Sequence, residues 1–258
     1  MSADRVLGSL ADGVLTLTLN RPDKRNAMDA VMIGALHDAI EGADLDAGVR
    51  VVAIRGAGKD FCAGLDLAEL LASADATPLE NEASSRRLGD VFIRLRGLPK
   101  PVVAVVQGRA LAGGCGLASA CDLIVAHADA VFGYPEIQRG FVPAMVMAML
   151  RRSVGENVAF DLAATGRQIS AEEARQVGLV ARVFPDASFE RDGSALLRDL
   201  AGLSGSALAL LKQQLHALEG LSFEDGIALG AQVNAVARTT PEFRRALERF
   251  LKKSTILP

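Results

Sequence analysis

The chain has 258 residues, half of them apolar, which is enough to bury a large core and excludes a disordered polypeptide. Its 28 Lys+Arg nearly balance 31 Asp+Glu, for a net charge of −3, and only 4% of residues are aromatic, so nucleic acid is not an expected partner. No run reaches the about 18 consecutive apolar residues that a membrane span needs, and the opening Met1-Ser2-Ala3-Asp4-Arg5 lacks the apolar stretch of a signal peptide.

Cys62, Cys115 and Cys121 show no CxxC spacing and read as buried thiols in a reducing compartment. His37, His127 and His216 are scattered without an HExxH, so no metal site is expected. These features together predict a soluble cytoplasmic protein.

In chain order, Val14-Leu15-Thr16-Leu17-Thr18-Leu19 predicts a strand and residues 29–43 an amphipathic helix. The apolar runs 51–54, 102–106, 123–126 and 131–132 suit strands buried on both faces. Residues 72–85, rich in Ala, Ser, Asp and Asn, read as a mobile segment. Ser170-Ala171-Glu172-Glu173 reads as a capping box for a helix that ends at Gly178, and residues 180–184 return as a strand. After Pro185 the pattern turns helical: 188–203, 206–218, 223–238, and a last helix opened by Thr240-Pro241-Glu242. The expected organisation is an α/β body over residues 1–185, with strands and helices in alternation, and a helical part over 186–258.

Several familiar sites are absent. Gly56-Ala57-Gly58-Lys59 is not a phosphate loop, because Ala53 precedes Gly58 by five and Asp60 follows the lysine. Gly113-Gly114-Cys115-Gly116 is not a dinucleotide fingerprint, because Ser119 stands three beyond Gly116. There is no GxSxG elbow.

Two glycine turns and one glutamate carry the chemistry. Phe61-Cys62-Ala63-Gly64-Leu65-Asp66-Leu67 and Ala110-Leu111-Ala112-Gly113-Gly114-Cys115-Gly116-Leu117-Ala118 each follow an apolar strand and lead into a helix. Such a junction leaves backbone N–H groups without partners, and small residues let a substrate approach them. Two amides converging on one oxygen form an oxyanion hole; either turn alone could equally be structural. Glu136, between Pro135 and Ile137 after the apolar Ala130-Val131-Phe132, is placed for partial desolvation, which suits a carboxyl to proton transfer near neutrality. The plainer reading is a loop glutamate paired with Arg139.

Together these segments resemble the crotonase, or enoyl-CoA hydratase/isomerase, family. The likeness begins at Leu19-Asn20-Arg21-Pro22 with Arg25-Asn26-Ala27-Met28 and passes through both glycine turns. Pro99-Lys100-Pro101, Gln107-Gly108, Cys121-Asp122-Leu123 and Pro135-Glu136-Ile137 continue it. Thr165-Gly166-Arg167, Ala171-Glu172-Glu173-Ala174 and Gly178-Leu179-Val180 close it. The resemblance implies an α/β fold with a ββα spiral core, and C-terminal helices that build a homotrimer or a dimer of trimers.

It implies an acyl-CoA substrate and no cofactor beyond the coenzyme A that is part of it. The oxyanion amides fall on Leu65 and Gly113, and Glu136 is the acid/base. Coenzyme A would lie near Ala27, Ala63, Gly64, Asp66 and Leu67, with Gly114, Gly116 and Pro135 also lining the site. Lys24 and, from a neighbouring subunit, Lys253 could meet its phosphates. The chain departs from the hydratase pattern at one point. A second glutamate should stand directly after Cys115, and that position is Gly116. Hydration of a 2-enoyl-CoA and Δ3,Δ2-enoyl-CoA isomerisation therefore stay open together, beside a protein that binds CoA esters without turnover. If the missing carboxylate alone limits hydration, Gly116→Glu should supply it.

Overall fold

The computed structural model describes residues 4–254 and the side chains of residues 4–252, so the expected role of the Lys253 side chain lies outside the described residues. A hairpin opens the chain: β1 (Val6–Ala11) pairs antiparallel with β2 (Val14–Leu19). There follow α1 (Ala30–Leu45), β3 (Val51–Gly56), α2 (Leu67–Ala72), α3 (Pro78–Gly97), β4 (Val102–Val106), β5 (Arg109–Leu111) and α4 (Gly113–Ser119). Next come β6 (Leu123–His127), β7 (Val131–Gly133), α5 (Met147–Val154), α6 (Glu156–Thr165), β8 (Gln168–Ser170), α7 (Ala171–Gln176) and β9 (Arg182–Phe184). Four helices end the described chain: α8 (Phe189–Gly202), α9 (Gly205–Ala217), α10 (Phe223–Thr239) and α11 (Pro241–Ser254).

One sheet has the order β1-β2-β3-β4-β6-β9, parallel from β2 onward. A second has the order β5-β7-β8 and is extended by isolated bridges from Cys62 to Ala110 and from Met28 to Leu65. The chain thus repeats one move, a long strand in the first sheet, a short one in the second, then a helix. This is the ββα spiral the resemblance implies. The move matters for chemistry because each short strand hands its end to a helix start at the same edge.

Alternation along the strands divides the core. Val52, Ile54, Val102, Ala104 and Val106 face the main core, while Val51, Ala53, Val103 and Val105 face α8 through Phe189, Leu196 and Leu197. Both faces are buried, which is why these strands read as unbroken apolar runs. α8, within the segment expected to serve oligomerisation, is itself part of the packing on the sheet.

The segment read as mobile, residues 72–85, carries the end of one helix and the start of another. α2 runs to Ala72 and α3 begins at Pro78. Thr77 and Glu80 form a reciprocal capping box, with proline at the first helical position, so the polar stretch encodes a helix start. Leu88, Val91, Phe92 and Leu95 then bury one face at helical spacing.

The last three helices are held differently. Lys212 is the one buried residue of α9, and its Nζ lies 2.8 Å from Asp122 Oδ2 while donating to Leu95 O at 2.8 Å and Lys100 O at 3.2 Å. Glu242 ties α11 to the start of α9, accepting from the Ser206 N–H at 3.0 Å and the Ser206 hydroxyl at 2.6 Å. Among the described residues no single helix is long and apolar enough to cross a membrane.

Candidate functional site

The first glycine turn is set between two neighbours. Gly64 O accepts from Met28 N–H at 2.8 Å and Asp66 N–H donates to Met28 O at 2.9 Å. Alternation in an extended chain therefore turns the intervening Leu65 N–H to the opposite side, toward β5 and α4. On that side Cys62 exchanges hydrogen bonds with Arg109 O (3.0 Å) and Leu111 N–H (2.9 Å), which docks the turn against the end of β5.

The two turns touch at Gly64. Its φ is +100°, and a Cβ there would sit 2.9 Å from Ala112 Cβ and 3.3 Å from Gly113 N, so only glycine serves. Gly114 is fixed by space instead: a Cβ would meet Cys62 O at 2.3 Å. Between them Ala112 takes φ 52°, ψ −130°, a strained conformation at the junction that aims the first amides of α4. Its N–H donates to Gly133 O at 2.8 Å, which brings β7 and the residues after it to the same place. Among the described residues no backbone carbonyl accepts from Leu65 N–H or Gly113 N–H.

Glu136 follows β7 in a single 3-10 turn, Pro135–Arg139, opened by proline. It is 7% exposed, and its Oε2 is buried without a hydrogen-bond partner. Burial pushes its carboxyl above the ordinary glutamate range, opposed by its own backbone N–H and by the charge of Arg139. Arg139 does not neutralise it as an ion pair: its guanidinium donates to Pro135 O at 3.3 Å. Cys115, next to Gly116 in the first turn of α4, feels the Glu136 charge. Burial is the main cause that pushes the Cys62 and Cys115 thiols up to about 12, so neither is a ready nucleophile.

The other expected residues divide by environment. Ala63 and Ala27 are half-buried beside the turn, Gly114, Gly116 and Pro135 are buried, and Leu67 and Lys24 are exposed. Asp66 is already engaged. Its carboxylate caps α2 through Ala68 N–H (2.9 Å) and pairs with Arg21 Nη2 at 2.9 Å, which lowers its pKa.

Arg21 and Asn26 carry a role that their motif alone did not reveal. Arg21 Nη1 donates to Ala27 O at 2.7 Å while Nη2 holds Asp66, so one guanidinium ties the residue before Met28 to the residue after Leu65. Buried Asn26 donates to Ala57 O (2.9 Å) and Asp60 O (2.8 Å) and accepts from Arg21 N–H (2.9 Å). The spacing Asn20-Arg21-Pro22 to Asn26-Ala27 was the available signal. Phe92 and Val146, which pack on Gly116, had none.

A separate open cavity of about 720 Å³ lies at the C-terminal ends of β3, β4 and β6, bordered by Arg55, Lys59, Gln107, His127 and Asp186. Neither Glu136 nor the two turn amides line it. Of the groups at its border, Arg55 pairs with Glu190 at 2.6 Å, and the His127 Nε2 lies 3.1 Å from Asp186 Oδ1.

A sequence model described as enoyl-CoA hydratase/isomerase matches residues 9–256. The 2,3-dehydroadipyl-CoA hydratase of Escherichia coli is 35% identical over 243 residues, covering 94% of this chain and 93% of its own. The 1,2-epoxyphenylacetyl-CoA isomerase of the same organism is 30% identical over 250 residues, covering 96% and 95%. The crystal structure of an enoyl-CoA hydratase from Mycobacterium smegmatis superposes with a TM-score of 0.92 at 33% identity, covering 96% of both chains.

Proposed function

The chain belongs to the enoyl-CoA hydratase/isomerase family, and we propose that it shifts a double bond in an enoyl-CoA thioester through an enolate, with Glu136 as its single acid/base. The observation that carries this reading is the Glu136 carboxyl, buried with one oxygen unpartnered, beside two turns whose amides at Leu65 and Gly113 are unclaimed. A 3-enoyl thioester gives up a proton from C2 to the Glu136 carboxylate, and the electrons move onto the thioester oxygen. The Leu65 and Gly113 amides stabilise that oxygen as its charge develops. The protonated Glu136 then returns the proton to C4 as the C2–C3 double bond forms. One carboxyl and one oxyanion site balance the whole sequence, and no water is consumed.

Hydration of a 2-enoyl-CoA is the second reading, favoured by the likeness to the E. coli hydratase. It asks for a water oriented opposite Glu136, and Gly116 offers no side chain to hold it. In the same proposal coenzyme A runs past Ala27, Ala63, Gly64 and Leu67, with Gly114, Gly116 and Pro135 lining the acyl end. Arg21 holds Asp66 to keep the Leu65 amide in place, and Lys24 is available to a phosphate. The coenzyme A moiety of the substrate is the one cofactor the reaction uses, and the cytoplasm is its proposed compartment. Exposed apolar residues on α9–α11, among them Leu215, Phe223, Ile227 and Leu247, form the proposed self-association surface of a trimer or dimer of trimers.

Purified protein given 3-hexenoyl-CoA and crotonyl-CoA tests the assignment, with products separated by chromatography. Glu136→Gln should lower kcat by about 10²–10⁴-fold. Undiminished turnover by that variant would remove Glu136 from the mechanism. Tight coenzyme A binding with no turnover of any thioester would leave a binding protein.

A further inference from the structure

We infer that Val146, backed by Phe92, selects the reaction that Glu136 performs, because it occupies the place a side chain at position 116 would need and keeps that wall of the site apolar. The inference rests on Glu136 being the acid/base. A Cβ built on Gly116 would stand 2.7 Å from Val146 Cγ2, 3.3 Å from Phe92 Cζ and 3.5 Å from Val146 Cγ1. Real Cβ atoms do not approach a carbon to 2.7 Å. The second carboxylate is therefore not merely missing from this chain; even the Cβ that would carry it has no room unless Val146 shifts.

Val146 has little freedom to withdraw. It is 4% exposed, and a β-branched side chain in helical backbone has one strongly preferred rotamer. Its backbone sits at φ −66°, ψ −31°, and its carbonyl accepts from Leu150 N–H at 2.9 Å. Phe92, also 4% exposed, is carried by α3, whose start is fixed by the Thr77–Glu80 box. Two methyls and a ring edge supply none of the two to four polar partners that an ordered water requires. A proton passing between two carbons of one substrate needs no such water. The substrate class that fits is an acyl-CoA whose C3–C4 region is unsubstituted hydrocarbon with its double bond at C3.

A consequence corrects the simple expectation for Gly116→Glu. Alone, that substitution forces a carboxylate against Val146 and should give no hydration. Paired with Val146→Gly, it gains room, and the new carboxylate can hold a water whose oxygen bonds C3 while a proton goes to C2. The test compares wild type, G116E, V146G and the G116E/V146G pair for 3-hydroxybutyryl-CoA formed from crotonyl-CoA and for isomerisation of 3-hexenoyl-CoA.

The double variant should form hydrated product at least about tenfold faster than either single variant. V146T, which keeps the shape and adds a hydroxyl beside Gly116, should raise the ratio of hydration to isomerisation at least about threefold with an unchanged circular-dichroism spectrum. The threefold ratio in V146T supports the inference even where a glutamate at 116 prevents folding. Hydration by G116E equal to that of the pair, or an unchanged ratio in V146T, overturns it. Failure of the Glu136 assignment shows separately, as E136Q that still isomerises. Absence of turnover in every protein overturns both.

Discussion

A carboxyl that is buried without full hydrogen bonding resists ionisation, and Glu136 is in that position through its Oε2. Desolvation raises its pKa, so the carboxylate that the proposed reaction uses to take a proton is lost on acidification at a higher pH than for an exposed glutamate. The acidic limb of the kcat/KM profile for 3-hexenoyl-CoA should therefore lie above the ordinary glutamate value of 4.5. Stability runs the other way. The folded state holds this proton more tightly than the unfolded chain, so the group favours folding at low pH and the advantage falls as pH rises through the raised pKa. Glu136→Gln should accordingly raise the melting temperature at neutral pH more than at pH 4, measured by scanning calorimetry. Equal shifts at both values would show that the folded-state pKa is ordinary. Arg21 acts at the same scale by another route, tying Ala27 to Asp66, the residue after Leu65.

At the scale of elements, the proposed site is built at the short joints where a strand of the second sheet hands over to a helix. Gly64, Ala112 and Gly114 allow those joints to approach more closely than larger residues could. The attachment of α9 obeys a different logic. Its one buried residue is a lysine that reaches Asp122 and two carbonyls. Lys212→Met removes the buried partner of a pair whose aspartate is partly exposed and leaves Asp122 Oδ2 with only the Val102 N–H. Unfolding in urea should show a loss of about 3 kcal/mol. A change below about 0.5 kcal/mol would mean that α9 is held by its exposed apolar face against another surface. α11 is anchored through Glu242, whose carboxyl is held down to about 2, first by the Ser204 and Ser206 hydroxyls. That anchor is complete above the ordinary glutamate range and is lost as pH falls toward 2.

For the whole molecule, the balance of burial is uneven. Residues from β2 through α8 share two packed cores, whereas α10 has no buried residue and shows Phe223 at 79% and Ile227 at 62% exposure. Apolar side chains so exposed on adjoining helices favour association. Sedimentation equilibrium should give three or six times the chain mass, and Phe223→Asp should shift it toward the single chain. A monomer at micromolar concentration would show that the last three helices stand alone in solution.

Much of this is legible in the amino-acid sequence. The apolar runs at 51–54 and 102–106 specified buried strands because both faces of the sheet are covered, and the cap at Thr240-Pro241 specified a helix start. Local chemistry of this kind is written in consecutive residues. The helix over Pro78–Gly97 was masked by its polar first turns, although Thr77 and Glu80 encode its cap. The order of the motifs carried the family, and with it the pairing of two glycine turns with Glu136. Tertiary structure alone decided what surrounds them: that Leu65 N–H turns toward α4, that Glu136 Oε2 has no partner, and that Val146 fills the space beside Gly116. Val146 lies 30 positions beyond Gly116 and Phe92 lies 24 before it, and no local pattern relates them. Their contact arises only when α3, α4 and the start of α5 close on one another, because packing between distant segments has no periodicity in the chain.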